Sequence, residues 1–296
     1  GSLAASDVYK SQMLTLILIL VAVLVALLVG ALVVGAHRWD TETARLRARL
    51  DAAREPVHPS TVDLGQLEGL PAPVQRFFRA ALSDGQPMVA AVRVRHSGTF
   101  NLDETTDRWK PFTSDQQVVA RRPGFDWNGS IAMMPGLPVR VHDAYVAGEG
   151  LLHASLSGLF SVAALRGTRD LAEGELLRFF AEAAWYPTVL LPSQGVRWRE
   201  VDDRSALATL HDGDVAVTLL FEFNEAGLIE TVRAESRGRR VGDEIVPTPW
   251  QGRFWDYHER AGMRVPLEGE VAWVLPQGTR PYWRGRITEI SYELAR

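Results

Sequence analysis

The sequence predicts a mainly antiparallel β (α+β) protein, in which an N-terminal transmembrane helix precedes a curved β-sheet or half-barrel that wraps a central helix. Three observations predict this fold class. A long uncharged apolar run lies near the N-terminus, and hydrophobic residues alternate with period two through most of the chain after Gly85. One apolar helical segment then interrupts that alternation about half-way along.

The apolar run predicts a transmembrane helix over residues 13–36. No residue from Ser11 to Ala36 is charged. As a helix, the 23 residues from Leu14 to Ala36 would extend about 34 Å, and a hydrocarbon core is about 30 Å thick. A cleaved signal peptide is the alternative, because Val34-Gly35-Ala36 is typical of a cleavage site. Such peptides have a basic start and a shorter apolar stretch, so the sequence favours an uncleaved single-pass anchor in the cell membrane.

The chain divides into four predicted segments. Residues 1–12 are expected to lie outside the natural chain, because Gly1-Ser2 is typical of a cloning remnant and Met13 stands where a natural start would be. Residues 13–36 form the anchor, and residues 37–69 are predicted to be a solvent-exposed helical stalk and a linker. Residues 70–296 are predicted to form a single antiparallel β half-barrel domain with an inserted helix over 170–186.

Two features of the anchor bear on partners and on the side of the membrane. Ala22, Ala26 and Gly30 place small side chains on one helix face, where a partner helix could approach; ordinary lipid-facing residues are the alternative. Arginines follow the span, at Arg38, Arg45, Arg47 and Arg49, which favours a cytoplasmic soluble domain. Long domains can be translocated despite such charge, so the side stays open.

The soluble part is predicted to contain about a dozen antiparallel strands, in two sets over residues 89–157 and 196–293. Val215–Phe223 and Val265–Leu275 are typical, since apolar side chains alternate there with other residues. A short helix is predicted over 72–82, behind Pro71 and Pro73. The inserted helix 170–186 is apolar around so much of its circumference that it is expected to be largely buried.

Composition excludes several classes of protein. With a net charge of −4 and no polycationic segment, the chain is not expected to bind nucleic acid. It has no cysteine, which excludes disulfides, thiol nucleophiles and cysteine-ligated metals. The sequence contains no G-x-S-x-G, H-E-x-x-H or P-loop motif, and its seven histidines lack metal-ligand spacing. No cofactor and no metal is predicted.

Three residues are weak candidates for catalysis. Asp143 shares a predicted strand face with Val139, Val141 and Tyr145, so its carboxylate would need a partner or a raised pKa. Asp256 and His258 stand at i and i+2 and could support acid–base chemistry. The alternatives are an arginine-paired structural aspartate and cross-strand polar contacts.

Aromatic and methionine side chains are the candidate ligand-binding residues. Large amphipathic rings suit the walls of an apolar pocket, and methionine suits irregular apolar surfaces, although core packing would explain both. The candidates are Met133, Met134, Leu137, Tyr145, Phe180, Trp185, Trp250, Trp255, Trp273 and Trp283.

Four runs carry a resemblance to a known family: Leu70–Arg79, Pro135–Tyr145, Leu190–Trp198 and Pro247–Tyr257. Across residues 65–295 the chain resembles an uncharacterised bacterial family of unknown function, which implies no activity. The pattern Phe254–Pro266, followed by two further strands, also resembles the C-terminal hairpins of LolA-like lipoprotein-sorting proteins. That resemblance implies a half-barrel that encloses helices and holds acyl chains in an apolar cavity.

These observations leave three functional hypotheses. The first is a membrane-anchored protein that binds an apolar ligand, a lipid or an acylated molecule, in the half-barrel close to membrane lipid. The second is a non-catalytic interaction or accessory subunit of a membrane complex, which docks through the anchor helix and the sheet edge. The third is an enzyme that uses Asp143 or the Asp256/His258 pair, and it requires these groups to converge in one cleft.

Overall fold

The computed structural model describes residues 2–103, 106–242 and 244–296. Its strands fall into two halves, one before and one after the third helix. The helices are α1 (Ser2–Ala53), α2 (Ala72–Ala81) and α3 (Arg169–Ala181). The first half contains β1 (Val89–Asn101), β2 (Trp109–Val119), β3 (Gly124–Met134), β4 (Leu137–Val146), β5 (Glu149–Leu156) and β6 (Phe160–Arg166). The second contains β7 (Arg197–Asp202), β8 (Ser205–Asp212), β9 (Val215–Phe223), β10 (Ile229–Val241), β11 (Glu244–Arg260), β12 (Met263–Leu275) and β13 (Gly278–Leu294).

Over the described residues, these strands form one antiparallel sheet in the order β6-β5-β4-β3-β2-β1-β13-β12-β11-β10-β9-β8-β7. β6 and β7, which α3 connects, are therefore its two edges. β6 lies outside the two predicted strand sets, and its exposed Phe160 and Val162 give it no half-buried alternation.

The sheet is strongly curved, because α3 contacts strands from both of its halves. This helix packs against β4 and β5 on one side and against β9 and β10 on the other. β5 and β9 are nine positions apart in the sheet order, which in a flat sheet would be about 43 Å at roughly 4.8 Å per strand. A helix about 10 Å wide reaches both strands only if the sheet is curved. We call the face toward α3 the inner face.

α3 begins at Arg169, next to the predicted start at 170, but ends at Ala181, five residues before the predicted end at 186. The Thr168 hydroxyl caps the helix by accepting a hydrogen bond from the Leu171 amide, at 3.3 Å. After Ala181 the chain continues through the 3₁₀ turns Glu182–Trp185 and Pro187–Leu190. Leu176, Phe179 and Phe180 are buried in the main core.

The C-terminal half of α1 packs on the opposite, outer face of the sheet. Leu46 and Leu50 are buried in a second, smaller core with residues of β1, β2 and β4. Trp39 is buried as well and stacks on His142 of β4, with 4.5 Å between the ring centroids. The prediction of a solvent-exposed stalk is therefore wrong for this face of the helix, because it packs on apolar and polar side chains of the sheet.

α1 runs along the strands, and this defines two ends of the molecule. Gly35 lies against the β5–β6 turn, so close that a Cβ there would be 2.5 Å from the Ser157 carbonyl oxygen. Arg54, near the end of α1, pairs with Glu293 at the other end of the strands. We call the end formed by the β1–β2, β3–β4, β5–β6, β10–β11 and β12–β13 connections the upper end. Residues 13–36 project beyond it.

Candidate ligand cavity

A cavity of about 150 Å³ lies between α3 and the inner face of the sheet. Its wall is mostly apolar, with Trp127 from β3, Trp185 after α3, and Trp250, Phe254 and Trp283 from the second half. Most of these side chains are buried, so the cavity is an internal one.

A second hollow of about 560 Å³, the vestibule, adjoins the cavity. The two share five lining residues: Phe100, Asp143, Leu152, Arg237 and Tyr282. Exposed Leu102 and Ile245 line the vestibule at the upper end of the sheet. The vestibule therefore connects the inner cavity to the surface at the end from which residues 13–36 project.

A partly buried arginine, Arg178, lines the cavity. The Arg178 guanidinium donates to Asp143 at 2.5 Å and to Glu182 at 2.7 Å. It lies over the rings of Phe125 and Trp127, at 5.0 and 5.2 Å from their centroids. Glu182 and Asp143 outweigh the burial of the guanidinium and raise its pKa, so Arg178 stays charged.

A second acid and a second arginine lie at the boundary between cavity and vestibule. Burial and the neighbouring Asp143 carboxylate raise the pKa of Glu175 well above its usual range, which favours the neutral, protonated form of this acid. Arg237 is 3.6 Å from this carboxyl group and lies over the Trp250 ring at 5.3 Å. The Trp250 indole donates to the Tyr282 hydroxyl at 2.8 Å. With Glu175 protonated, Arg178 and Arg237 balance Asp143 and Glu182, and the remaining acid of the cavity wall, Glu270, pairs with Arg284 at 2.7 Å.

His96 of β1 is also buried on the inner face, beside Trp185 and Trp283. Burial and, next, the Arg178 cation lower its pKa to about 3. Nδ1 is 3.2 Å from the Ser114 hydroxyl, and Nε2 is without a partner. Further unpaired buried atoms on this side are Gln116 Oε1, Trp127 Nε1, Trp185 Nε1 and Glu175 Oε2.

The structure separates the ten candidate ligand-binding residues into three groups. Trp185, Trp250 and Trp283 line the cavity, and Trp273 lines the vestibule. Tyr145 and Phe180 are fully buried in the main core. Met133, Met134 and Leu137 lie at the β3–β4 turn, and Trp255 is exposed and donates to Glu268. These last six do not line the cavity or the vestibule, because they face the core, the outside or the turn.

The three candidate catalytic residues do not converge. Asp143 lies in the cavity wall, paired with Arg178. Asp256 and His258 are bonded to each other at 2.9 Å, and Asp256 also pairs with Arg286. Neither lines the cavity, and Asp256 has a φ of 58°, which interrupts the expected strand face. The enzyme hypothesis required one common cleft and is not carried further.

Sequence reasoning singled out Asp143 but missed the charged residues that α3 contributes to the walls of the cavity and the vestibule. Glu175, Arg178 and Glu182 recur at intervals of three and four, which places them on one face of an otherwise apolar helix. A buried helix with one charged stripe indicates a paired network or a polar site. This signal was present in the sequence.

It also missed the polar contacts under α1. His142 Nδ1 donates to the Asp126 carboxylate at 2.7 Å, and His142 Nε2 lies 2.9 Å from the Thr43 hydroxyl. Arg47, one of the arginines used to predict the membrane side, pairs with Asp126 and Asp115. Within the described residues, no group of three His, Asp or Glu could hold a metal ion. At Gly30, in the predicted small-residue stripe, an added methyl group would have no neighbour within 4 Å among the described residues.

Fold and site together define a curved antiparallel β protein with an internal cavity that reaches the surface at one end. The chain belongs to the family described as "Family of unknown function (DUF6920)", whose model matches residues 68–292. No curated protein matches the sequence.

Three solved structures are similar in outline. One is a LolA superfamily protein from Nitrosomonas europaea, 10% identical, covering 70% of this chain and 88% of its own, with a TM-score of 0.38. A domain provisionally described as an outer membrane lipoprotein-sorting protein, from Vibrio parahaemolyticus, is 7% identical, with coverages of 78% and 92% and a TM-score of 0.38. A DUF1329 family protein from Desulfovibrio piger is 9% identical, with coverages of 70% and 88% and a TM-score of 0.37. Similarities this weak say nothing about ligand or reaction.

Proposed function

We propose that this protein is a membrane-anchored binding protein that holds an apolar ligand, a lipid or an acylated molecule, against the inner face of its sheet. The observation that carries the proposal is the apolar cavity with its vestibule. Ligand pockets are apolar hollows of about 300–1,000 Å³ with a few polar groups, and the vestibule of about 560 Å³ lies in this range. The inner cavity adds a mostly apolar, aromatic end to it.

The polar groups of the wall favour a ligand with an uncharged polar part. In the inner cavity the cations of Arg178 and Arg237 are balanced by Asp143 and Glu182, and Glu270 pairs with Arg284, so this part of the site offers no excess charge to an ion. Neutral Glu175 and the Tyr282 hydroxyl, at the boundary of the two hollows, suit an ester, amide or hydroxyl group. Acyl chains would occupy the apolar walls on either side.

α1 supports the anchoring part of the proposal. Gln12–Ala53 is the helix among the described residues that is long and apolar enough to cross a membrane. Its apolar residues, such as Leu24 and Leu27, are exposed, which in water would be unfavourable. In this arrangement the sheet is a half-barrel around α3, held beside the bilayer by the same helix that crosses it.

Filling the cavity tests the proposal. Val271 lines the cavity and is partly buried, so Val271→Phe should occupy part of the void without burying a polar group. We expect the purified full chain carrying this change to retain several-fold less lipid than the unaltered chain, by mass spectrometry of organic extracts. Its melting temperature should be unchanged or higher.

A matched control separates cavity lipid from lipid bound to the anchor. Val201→Phe makes the same change at an exposed position on β7, outside both hollows, and should leave the retained lipid unchanged. Equal lipid in both variants and in the unaltered chain would show that the cavity holds none, and the proposal would fail.

A further inference from the structure

The exposed apolar side chains outside the anchor are concentrated at the upper end of the sheet. Among the described residues beyond position 36, eight large hydrophobic side chains are exposed. Six lie at or beside the upper-end connections: Leu102, Met134, Phe160, Val162, Val241 and Ile245. The other two, Val201 on β7 and Trp255 on β11, lie elsewhere. Exposed apolar residues clustered at one end indicate an interaction surface.

The same end is fixed next to the apolar segment of α1. α1 is one uninterrupted helix from Ser2 to Ala53, so no loop separates residues 13–36 from the part that lies on the sheet. That part is held at several heights, by Trp39 bonded to Asn128, Thr43 bonded to His142, and Arg47 paired with Asp126. The sheet therefore cannot swing away from the axis of the helix.

Contact between α1 and the upper end begins where the apolar segment ends. Gly35 lies against Ser157 and Leu159, and Gly158 lies against Gly35 and Trp39. Gly158 has a φ of 73°, which glycine adopts without strain. If residues 13–36 fill the hydrocarbon core, the β5–β6 turn and its neighbours meet the membrane surface with almost no spacer.

We propose that the upper end of the sheet is a bilayer-binding surface, with Leu102, Phe160 and Ile245 inserted among the lipid headgroups, so that the vestibule opens directly onto the membrane. This inference rests on the proposed function for the anchor and for the ligand. Its partner is the lipid bilayer, because the chain's own apolar helix already brings that surface to this end. The ligand then enters from the leaflet and does not cross water.

The lining of the vestibule fits this orientation. Leu102, Ile245 and Leu275 belong both to the vestibule wall and to upper-end connections or strand ends. An acyl chain leaving the leaflet would meet these side chains first and then the aromatic wall around Tyr282 and Trp273. Arg280 also lines the vestibule there, and a cation at this height attracts anionic headgroups.

Because the chain has no cysteine, a single introduced cysteine can be labelled at one chosen position. Single cysteines at Phe160, Ile245, Val201 and Leu24 would each be labelled with the polarity-sensitive dye NBD in the full chain. The labelled chains are reconstituted into phosphatidylcholine vesicles whose acyl chains are unbrominated, brominated near the headgroup, or brominated near the chain end, where the mid-span Leu24 lies. Leu24 reports full lipid contact, and Val201 is the matched apolar position away from the upper end.

We expect NBD at Phe160 and Ile245 to be blue-shifted and to lose fluorescence in brominated vesicles, approaching the loss at Leu24, while NBD at Val201 loses none. Quenching at Ile245 no stronger than at Val201 would overturn the inference. Blue-shifted labels at Phe160 and Ile245 that are not quenched by brominated lipid would also overturn it, because these side chains would then be covered by protein and not by lipid. Each variant is first checked for a melting temperature like that of the unlabelled chain.

Failure of this inference is distinguishable from failure of the proposed function. Lipid loss in Val271→Phe reports on the cavity and does not depend on the depth of the upper end. Unquenched upper-end labels with intact lipid retention would leave a binding protein that loads from solution. Quenched labels with no cavity lipid would leave a membrane-apposed sheet without a ligand.

Discussion

Each face of the sheet has an arginine placed between two carboxylates, but the two arginines have different surroundings. On the outer face Arg47 lies between Asp126 and Asp115, and on the inner face Arg178 lies between Asp143 and Glu182. The outer arginine fastens α1 to the sheet in a close-fitting contact. The inner one stands in the wall of a cavity.

Hydrogen bonding separates the two faces further. Of seven buried side-chain atoms without a partner in the described residues, five belong to inner-face residues around the cavity, and two, on Gln117 and Ser157, lie on the α1 side. Unpaired buried polar atoms cost stability. The protein leaves such atoms around an internal space but pairs His142, Asp126 and Thr43 under α1. This difference is consistent with attachment at the outer face and with the binding that we propose for the inner face.

Removing the inner arginine should have the largest effect. Arg178→Met leaves Asp143 and Glu182, whose side chains are 17% and 12% exposed, without their cation. Breaking a fully buried pair costs about 3–5 kcal/mol, and we expect a loss near the lower end of that range. Glu182 would keep only the Gln116 amide, at 2.6 Å. We expect urea unfolding of the full chain in detergent to show this loss, together with reduced lipid retention.

The reason for that loss can be checked by neutralising the acids. Adding Asp143→Asn and Glu182→Gln to Arg178→Met should recover most of the free energy of unfolding, because no unpaired charge then remains. A loss below about 1 kcal/mol in the single variant, or no recovery in the combined one, would contradict the electrostatic account.

Removing the outer arginine should cost less, about 2–3 kcal/mol, because its partners keep other contacts. In Arg47→Met, Asp126 still pairs with His142, and Asp115 still lies 3.5 Å from Arg95. Lipid retention per folded molecule should be unchanged. Arg49→Met, which breaks an exposed pair with Glu149, is the control and should cost under about 1 kcal/mol. An effect of Arg47→Met on lipid retention as large as that of Arg178→Met would remove the distinction between the two faces.

The elements of the sheet were predictable from the sequence, and their tertiary partners were not. Period-two alternation marked β9 and β12 because one side of each strand is buried. In β3 it gave no guide, since α1 covers the outer side at Asp126 and Asn128 while the core covers Phe125 and Trp127. Only the position of α1 explains why polar residues there are buried, and no local pattern encodes that position.

The same limit applies to the cavity. The tryptophans were identified as candidate wall residues by size and amphipathic character, and Trp185, Trp250 and Trp283 lie there. Trp255 belongs to the same class of residue and faces outward, because a strand places neighbours on opposite sides and Asp256 interrupts the pattern. The charges on α3 carried a periodic signal, but their partners come from β2 and β4.

The inner face also predicts a response to acid. His96 has a folded-state pKa of about 3, against an ordinary value of 6.5. Below pH 6.5 the unfolded chain therefore takes up a proton that the folded chain refuses, and stability falls as the pH falls, by about 1.4 kcal/mol per pH unit down to about pH 3. At pH 5 this amounts to about 2 kcal/mol.

His96→Phe keeps a ring between Trp185 and Trp283 and removes the titrating group. Relative to the unaltered chain, the variant should gain about 2 kcal/mol in free energy of unfolding between pH 7 and pH 5, measured by urea titration at each pH. Ser114→Ala removes the hydrogen-bond partner of His96 but keeps the imidazole, and so should retain the acid sensitivity. If the difference between unaltered chain and His96→Phe does not change with pH, water reaches His96 in the folded protein. The inner face around it would then be wetter than a site for an apolar ligand requires.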